Sequence, residues 1–353
     1  MFFNDLIFIF ILLVYSYFQN RLFLHIADKN KLTILSDNDF SKPQAFHLKP
    51  TFRLGGITFF LQLIIVFLYL FFFKDIFLTE YIYYCALFFL IGLADDLKIN
   101  LLPKFRLFLM IAFLIALTIS NELYIEKTGL GFLNNLLEID IFALFFICLC
   151  FLFIINGSNL IDGFNGLLGI HSLIIFTVLF FINFVNGNDS IAFLLFCLSF
   201  LTLIFLKFNF PKAKMFFGDS GAYLVGTLIA ISVIKTSILN PTISPFFFCI
   251  LLFYLFFEVF FSFFRKIFVA RKNPLLPDKK HLHMTLYKFL LKKSSKKTST
   301  NYIVSVYLNL IYFTLLIPGI FLMKDGLFCR YYFLLLLLFY IYFYKILSKK
   351  IKY

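Results

Sequence analysis

The sequence predicts an all-α, polytopic integral membrane protein of about 11 transmembrane helices, with its chemistry in loops on the cytoplasmic side. Three observations carry this. First, 62% of the 353 residues are hydrophobic and 14% charged, against roughly 25% charged in a soluble domain. Second, the apolar residues come in runs of about 17 to 23, the length that crosses a hydrocarbon layer of roughly 30 Å. Third, the basic residues segregate: 27 of the 32 Lys and Arg fall on one set of connections and 5 on the other. That bias places the first set in the cytoplasm.

The spans run at 2–18, 56–73, 77–94, 105–120, 140–156, 167–185, 190–206, 221–239, 243–264, 301–323 and 331–347. The first reads as a retained span, because no basic segment precedes it and 15–20 offers no small-residue cleavage site. The cytoplasmic connections are 19–55, 95–104, 157–166, 207–220, 265–300 and the C-terminal tail. The opposite side has short linkers near Lys74, Asn186, Asn240 and Lys324 and one longer loop, 121–139. The whole chain, 1–353, reads as a single domain. Its net charge of +14 is mostly the topology signal; it requires no nucleic acid and suits anionic lipid and phosphate. The six cysteines lie in or beside apolar runs with no CxxC pair and read as small hydrophobes. With 58 Phe in the chain, single aromatics carry little information.

Four polar clusters interrupt the pattern, all on the cytoplasmic side. Asp95 and Asp96 end a span, where a like-charged pair opposes the helix dipole. Adjacent helical residues point about 100° apart, so the two carboxylates should have different partners. Asn156, Asn159, Asp162 and Asn165 recur at every third position, with Gly157, Gly163 and Gly166 between them. The glycines favour a loose turn that gathers these amides on one side. Amides supply donors and acceptors for a base, sugar or phosphate. Gly218-Asp219-Ser220-Gly221 precedes another span, and its bland explanation is an N-cap. His281 and His283 lie in a basic loop after Asp278; phosphate binding fits them better than zinc, for no Cys or third His is near. Successive members Asp95, Asp162, Asp219 and His281 are each separated by one out-and-back helical pair, so all return to one membrane face. Carboxylates, amides, Lys and His without Cys suit a hard oxygen-binding cation such as Mg²⁺, and with it phosphoryl transfer. Glu258 and His171 are the main ionisable residues inside spans and read as satisfied interior groups. A transporter is the rival from another class, but transporter sites usually lie near the midplane on broken helices.

These motifs, in this order from His47 to His283, resemble the polyprenyl-phosphate N-acetylhexosamine-1-phosphate transferases (glycosyltransferase family 4). The match also includes Arg53-Leu-Gly55-Gly56 and Pro103-Lys104-Phe-Arg106. The Pro277–His283 loop is closer to the undecaprenyl-phosphate GlcNAc-1-phosphate branch than to the phospho-MurNAc-pentapeptide branch, which is the alternative. The resemblance implies transfer of a sugar-1-phosphate from a UDP-N-acetylhexosamine to undecaprenyl phosphate, with UMP leaving. The product would initiate a cell-envelope polysaccharide such as O-antigen. It implies a multi-pass protein of the bacterial inner membrane with its site on the cytoplasmic face; a homodimer is compatible with it. By motif, Asp219 corresponds to the Mg²⁺ ligand (Mn²⁺ as a substitute), with Asp162 as a second candidate. Asp95 and Asp96 correspond to the catalytic pair beside the lipid phosphate. Asn156, Asn159, Asp162 and Asn165 correspond to nucleotide-sugar contacts, and Phe216 to an aromatic that stacks on uracil. Lys49 and Lys98 correspond to basic site residues, and His281 and His283 to diphosphate contacts. Position 165 is Asn where many members have Asp, and Met284 stands in place of a frequent third histidine.

Overall fold

The computed structural model describes residues 3–30, 34–37, 51–99, 101–271, 273, 278–293 and 297–351. In chain order they form α1 (Phe3–Lys29), β1 (Ser36–Asp37), β2 (Thr51–Phe52), α2 (Gly55–Lys74), α3 (Thr79–Asp96), α4 (Pro103–Asn121), α5 (Gly131–Leu137), α6 (Asp140–Ile161), α7 (Leu167–Val185) and α8 (Asp189–Asn209). Then follow α9 (Gly218–Leu239), α10 (Pro245–Leu251), α11 (Phe253–Phe264), a π-helical turn (Arg265–Val269), α12 (Leu282–Lys293), α13 (Lys297–Phe321) and α14 (Gly326–Ile351).

This is an all-α multi-pass membrane protein. Among the described residues nine helices are long and apolar enough to cross a bilayer, and the bent pair α10–α11 makes a tenth. Helix α3 occupies the place of the remaining expected span, but it carries Glu80, Asp95 and Asp96 at its ends. Large side chains such as Phe10, Phe72, Phe108 and Phe321 face outward, as lipid-facing positions do.

Three boundaries differ from the sequence expectation. Helix α1 continues to Lys29 because its polar residues find partners: Gln62 Nε2 donates to Gln19 Oε1 at 2.8 Å. Helix α6 runs on to Ile161, so Asn156 and Asn159 are helical rather than part of a turn. The expected straight span 243–264 is broken at Leu252, where α10 and α11 meet at 76°.

Helix α9 is the centre of the bundle. Its side chains are buried on every face from Ser220 to Ile234, as expected of a helix apolar all round. It packs on α2, α3, α6 and α7. Small residues bring the backbones together: a Cβ on Gly221 would stand 2.8 Å from the Gly56 Cα. The segments ahead of α2 and α9 are also stitched. Phe216 N donates to the Phe52 carbonyl (2.8 Å), and Gly55 N and Gly56 N donate to the carbonyls of Phe216 and Phe217 (both 2.9 Å). The starts of α2 and α9 therefore lie side by side, next to the end of α3.

Candidate active site

The first turn of α9 leaves backbone N–H groups without intrahelical acceptors. A carboxylate from another helix supplies the acceptor. Asp96, the last residue of α3 and 1% exposed, accepts from Asp219 N (3.0 Å), Ser220 N (2.9 Å) and Ser220 Oγ (2.6 Å). Its charge also sits at the positive end of the α9 dipole. On the other side, Asp162 Oδ2 accepts from Gly218 N at 3.1 Å. Gly218 has a φ of 72°, and a Cβ there would lie 2.6 Å from Asp96 Oδ2. Only glycine meets both conditions without strain. Asp219 is thus clamped through its backbone while its side chain remains 24% exposed.

Two arginines complete the cluster. Arg53, just ahead of α2, places Nη1 3.4 Å from Asp96 Oδ1 and 3.6 Å from Asp219 Oδ2. Arg106, in the first turn of α4, forms an ion pair with Asp95 and lies over the Tyr223 ring, 5.9 Å from its centroid. Asp95 and Asp96 thus have the separate partners that their angular offset predicts. Asp162 feels Asp219 and Asp96 electrostatically, and Asp95 feels Asp219. Four carboxylates from three helix ends face two arginines. Burial, reinforced by Asp219, pushes the Asp162 carboxyl well above the usual range.

The regular Asn/Asp stretch divides its roles. Asn156 Nδ2 donates to the Leu152 carbonyl of its own helix (2.8 Å). Asn159 is half-buried one turn later, beside Tyr223, whose hydroxyl closes no well-formed hydrogen bond among the described residues. Asp162 ends α6 and reaches α9. Asn165 Nδ2 donates to the Pro211 carbonyl (2.9 Å), and its backbone N–H to Asn301 Oδ1 (2.8 Å). Gly166, at φ 79°, donates to Asn209 Oδ1 (2.6 Å). Asn165 therefore ties the loop to neighbouring segments rather than joining the carboxylates. Asn209 and Asn301 were not singled out in the sequence, since each is a lone amide in a helix.

The other expected residues lie in different settings. Lys98 is exposed, with φ 57°, two residues beyond α3. Phe216 is only 6% exposed, its backbone held by Phe52 and Gly55. Lys49 lies outside the described residues. His281 and His283 are buried in a separate group with Glu258 and Tyr254. That group touches the Asn/Asp loop through Phe164, whose ring meets His283 edge-on at 5.3 Å. Arg53, Arg106 and Ser220 lie inside the sequence motifs, yet only the structure shows what each one holds.

The donor set suits a hard cation. All four acidic side chains offer oxygen, and Asp219 presents its carboxylate at the rim. Among the described residues no three His, Cys, Asp or Glu side chains converge on one point. A cation held here would need oxygens from outside the protein to complete its shell, as Mg²⁺ takes from phosphate and water.

Residues 78–237, which contain the four carboxylates, match the model of glycosyl transferase family 4. The chain is 31% identical over 236 residues to undecaprenyl-phosphate alpha-N-acetylglucosaminyl 1-phosphate transferase of Thermotoga maritima, covering 65% of each chain. It is 30% identical over 204 residues to the probable undecaprenyl-phosphate N-acetylglucosaminyl 1-phosphate transferase of Bacillus subtilis, covering 56% of this chain and 55% of that one. A phospho-N-acetylmuramoyl-pentapeptide-transferase of Clostridium botulinum is 28% identical over 203 residues, covering 53% of this chain and 61% of the relative. The chain thus spans between about half and two thirds of the length of these relatives.

Proposed function

With residues 78–237 matching the model of glycosyl transferase family 4, we propose that this protein transfers an N-acetylhexosamine-1-phosphate from a UDP-sugar to undecaprenyl phosphate, releasing UMP. The observation that carries the proposal is the clamp on Asp219. A rim carboxylate is held by its own backbone against buried Asp96, with Asp95, Asp162, Arg53 and Arg106 around it.

Both substrates are anionic, so the site has to offset their repulsion. Arg53 and Arg106 are the cations at hand, and each is oriented by a carboxylate. Asp219, with Asp162 beside it, would hold Mg²⁺, which when bound neutralises charge developing on the leaving diphosphate. Asp95, less buried than Asp96, is the carboxylate of the pair placed to meet the lipid phosphate. Asp96 is committed to α9 and acts as the brace. The prenyl tail remains in the bilayer while its head group reaches the ends of α3, α6 and α9. The bias of basic residues argues that these ends face the cytoplasm, where UDP-sugars are available. The GlcNAc-type reading is preferred to the muramyl-pentapeptide one because the Thermotoga maritima relative matches over 236 residues and the Clostridium botulinum muramyl-pentapeptide relative over 203.

The test is Mg²⁺-dependent movement of label from a UDP-N-acetylhexosamine into an organic phase, with UMP released. Asp219→Ala should lower UMP release by about 10²–10³-fold, the scale seen when one charge-stabilising group is lost. Near-normal turnover in that variant overturns the assignment. Uptake into vesicles without UMP would indicate a transporter instead. A panel of UDP-sugars against one lipid phosphate identifies the sugar.

A further inference from the structure

Glu258 is a buried carboxylate that the reaction above does not use. In a straight span it would lie inside the membrane; the 76° break at Leu252 turns α11 so that Glu258 meets the segment leading into α12. There it is 1% exposed and takes donors from three directions. Oε1 accepts from Leu282 N at 3.0 Å and faces His281 Nδ1 at 3.0 Å, and Oε2 accepts from the Tyr340 hydroxyl of α14. A carboxylate that takes a backbone N–H and a phenol as donors is acting as an acceptor. His281 Nδ1 must then carry the proton, which leaves Nε2 for another partner.

The neighbouring histidine differs. His283 stacks parallel to His281, with centroids 5.6 Å apart and planes 3° apart. Its Nδ1 meets the Tyr254 hydroxyl at 3.3 Å, and its Nε2 is buried with no partner among the described residues. Burial pushes its pKa down to about 3, so it stays neutral. Of the two histidines, His281 is the one with a carboxylate within hydrogen-bond distance among the described residues.

We propose that Glu258 is a positioning residue for His281: it accepts from Nδ1–H and supports the imidazolium, the form in which Nε2 also carries a proton and can donate it in a hydrogen bond to a diphosphate oxygen of the nucleotide sugar. This rests on the transferase reading. The groups around the pair are Tyr254 from α11, Tyr340 and Tyr344 from α14, and Asp278 and His283 from the segment around the start of α12, with Arg265 and Lys266 of the π turn acting on Asp278. Beyond Tyr254 lies His171 of α7. Asp278 also acts on His281 electrostatically but is paired with Arg265; among the described residues Glu258 is the carboxylate within hydrogen-bond distance of His281.

The experiment measures UMP release from UDP-GlcNAc and undecaprenyl phosphate with Mg²⁺, across pH, for purified wild-type, Glu258→Gln and Glu258→Asp proteins. Glutamine can still accept a hydrogen bond but cannot balance an imidazolium. Glu258→Gln should lower kcat by about 10–100-fold, as loss of a partner behind a functional histidine does. KM for undecaprenyl phosphate should stay within about twofold, and the alkaline limb of the profile should move at least one pH unit lower because the negative charge facing the ring is gone. Glu258→Asp should recover the wild-type limb. If Glu258→Gln does not fold, Tyr340→Phe serves, since removing a donor makes Glu258 a stronger base and should move the limb to higher pH. A wild-type protein that releases UMP, with an unshifted limb in the folded variant, overturns the Glu258 assignment alone. A wild-type protein that releases none overturns the transferase reading and this inference with it.

Discussion

The two polar regions are built in opposite ways. Around Asp219 the buried carboxylate is a brace and the working carboxylate lies at the rim. Asp96 takes up the orphan amides of α9, and Asp219 keeps its side chain partly open toward Arg53. Around His281 almost everything is inside. Glu258, His281 and His283 are buried together, each with a named partner. The first region is stiffened through backbone amides, the second through side chains. Substitutions should therefore separate stability from chemistry more cleanly in the first than in the second.

The largest effect expected from a substitution that leaves Asp219 itself in place is at the brace. Asp96→Ala leaves Asp219 N, Ser220 N and Ser220 Oγ without their acceptor and Arg53 with one carboxylate fewer. Unpaired buried groups of this kind cost about 3–5 kcal/mol in total. Thermal unfolding of detergent-purified protein should show the loss, and UMP release should vanish with it. Asp219→Ala should by contrast unfold close to wild type. Equal destabilisation by the two substitutions would erase the distinction between brace and rim. Gly218→Ala comes next, at about 1–3 kcal/mol. It forces a side chain into a left-handed backbone and against Asp96 Oδ2, while the Glu258–His281 group should keep its hydrogen-exchange protection. Loss of protection at both places would mean that the two regions are one unit.

How much of this could be read from sequence follows the same division. The all-α multi-pass fold was legible, because lipid-facing helices must be long and apolar and the chain marks each one. The carboxylate cluster was legible in membership, since Asp95, Asp96, Asp162 and Asp219 each sit beside glycine or another acid at a helix end. Their division of labour was not: which of two adjacent aspartates turns toward α9 depends on how α3 packs. The run of Asn at every third position misled in one respect, suggesting a turn where α6 continues, because helical hydrogen bonding outweighs the single Gly157. The Glu258–His281 pair was hidden altogether. It depends on a break at Leu252 with no glycine or proline beside it, and on a carboxylate 23 residues before its histidine.

Asn165 offers the smallest and sharpest test of the contrast between regions. Its place in the repeat assigns it to the nucleotide sugar; its contacts assign it to the loop. The side-chain amide is engaged with the Pro211 carbonyl, and the hold on Asn301 comes from the backbone and survives side-chain removal. Asn165→Ala should therefore cost one hydrogen bond, about 1 kcal/mol, and leave the KM for the UDP-sugar unchanged. Asn165→Asp should do worse, since a carboxylate would replace the amide donor opposite a carbonyl oxygen. Thermal unfolding together with UDP-sugar KM separates the outcomes. A KM raised tenfold in Asn165→Ala with unaltered stability would return this residue to the binding site. A small stability loss with normal KM would make it the strut that holds Asp162 and Phe164 between the carboxylate cluster and the histidine pair.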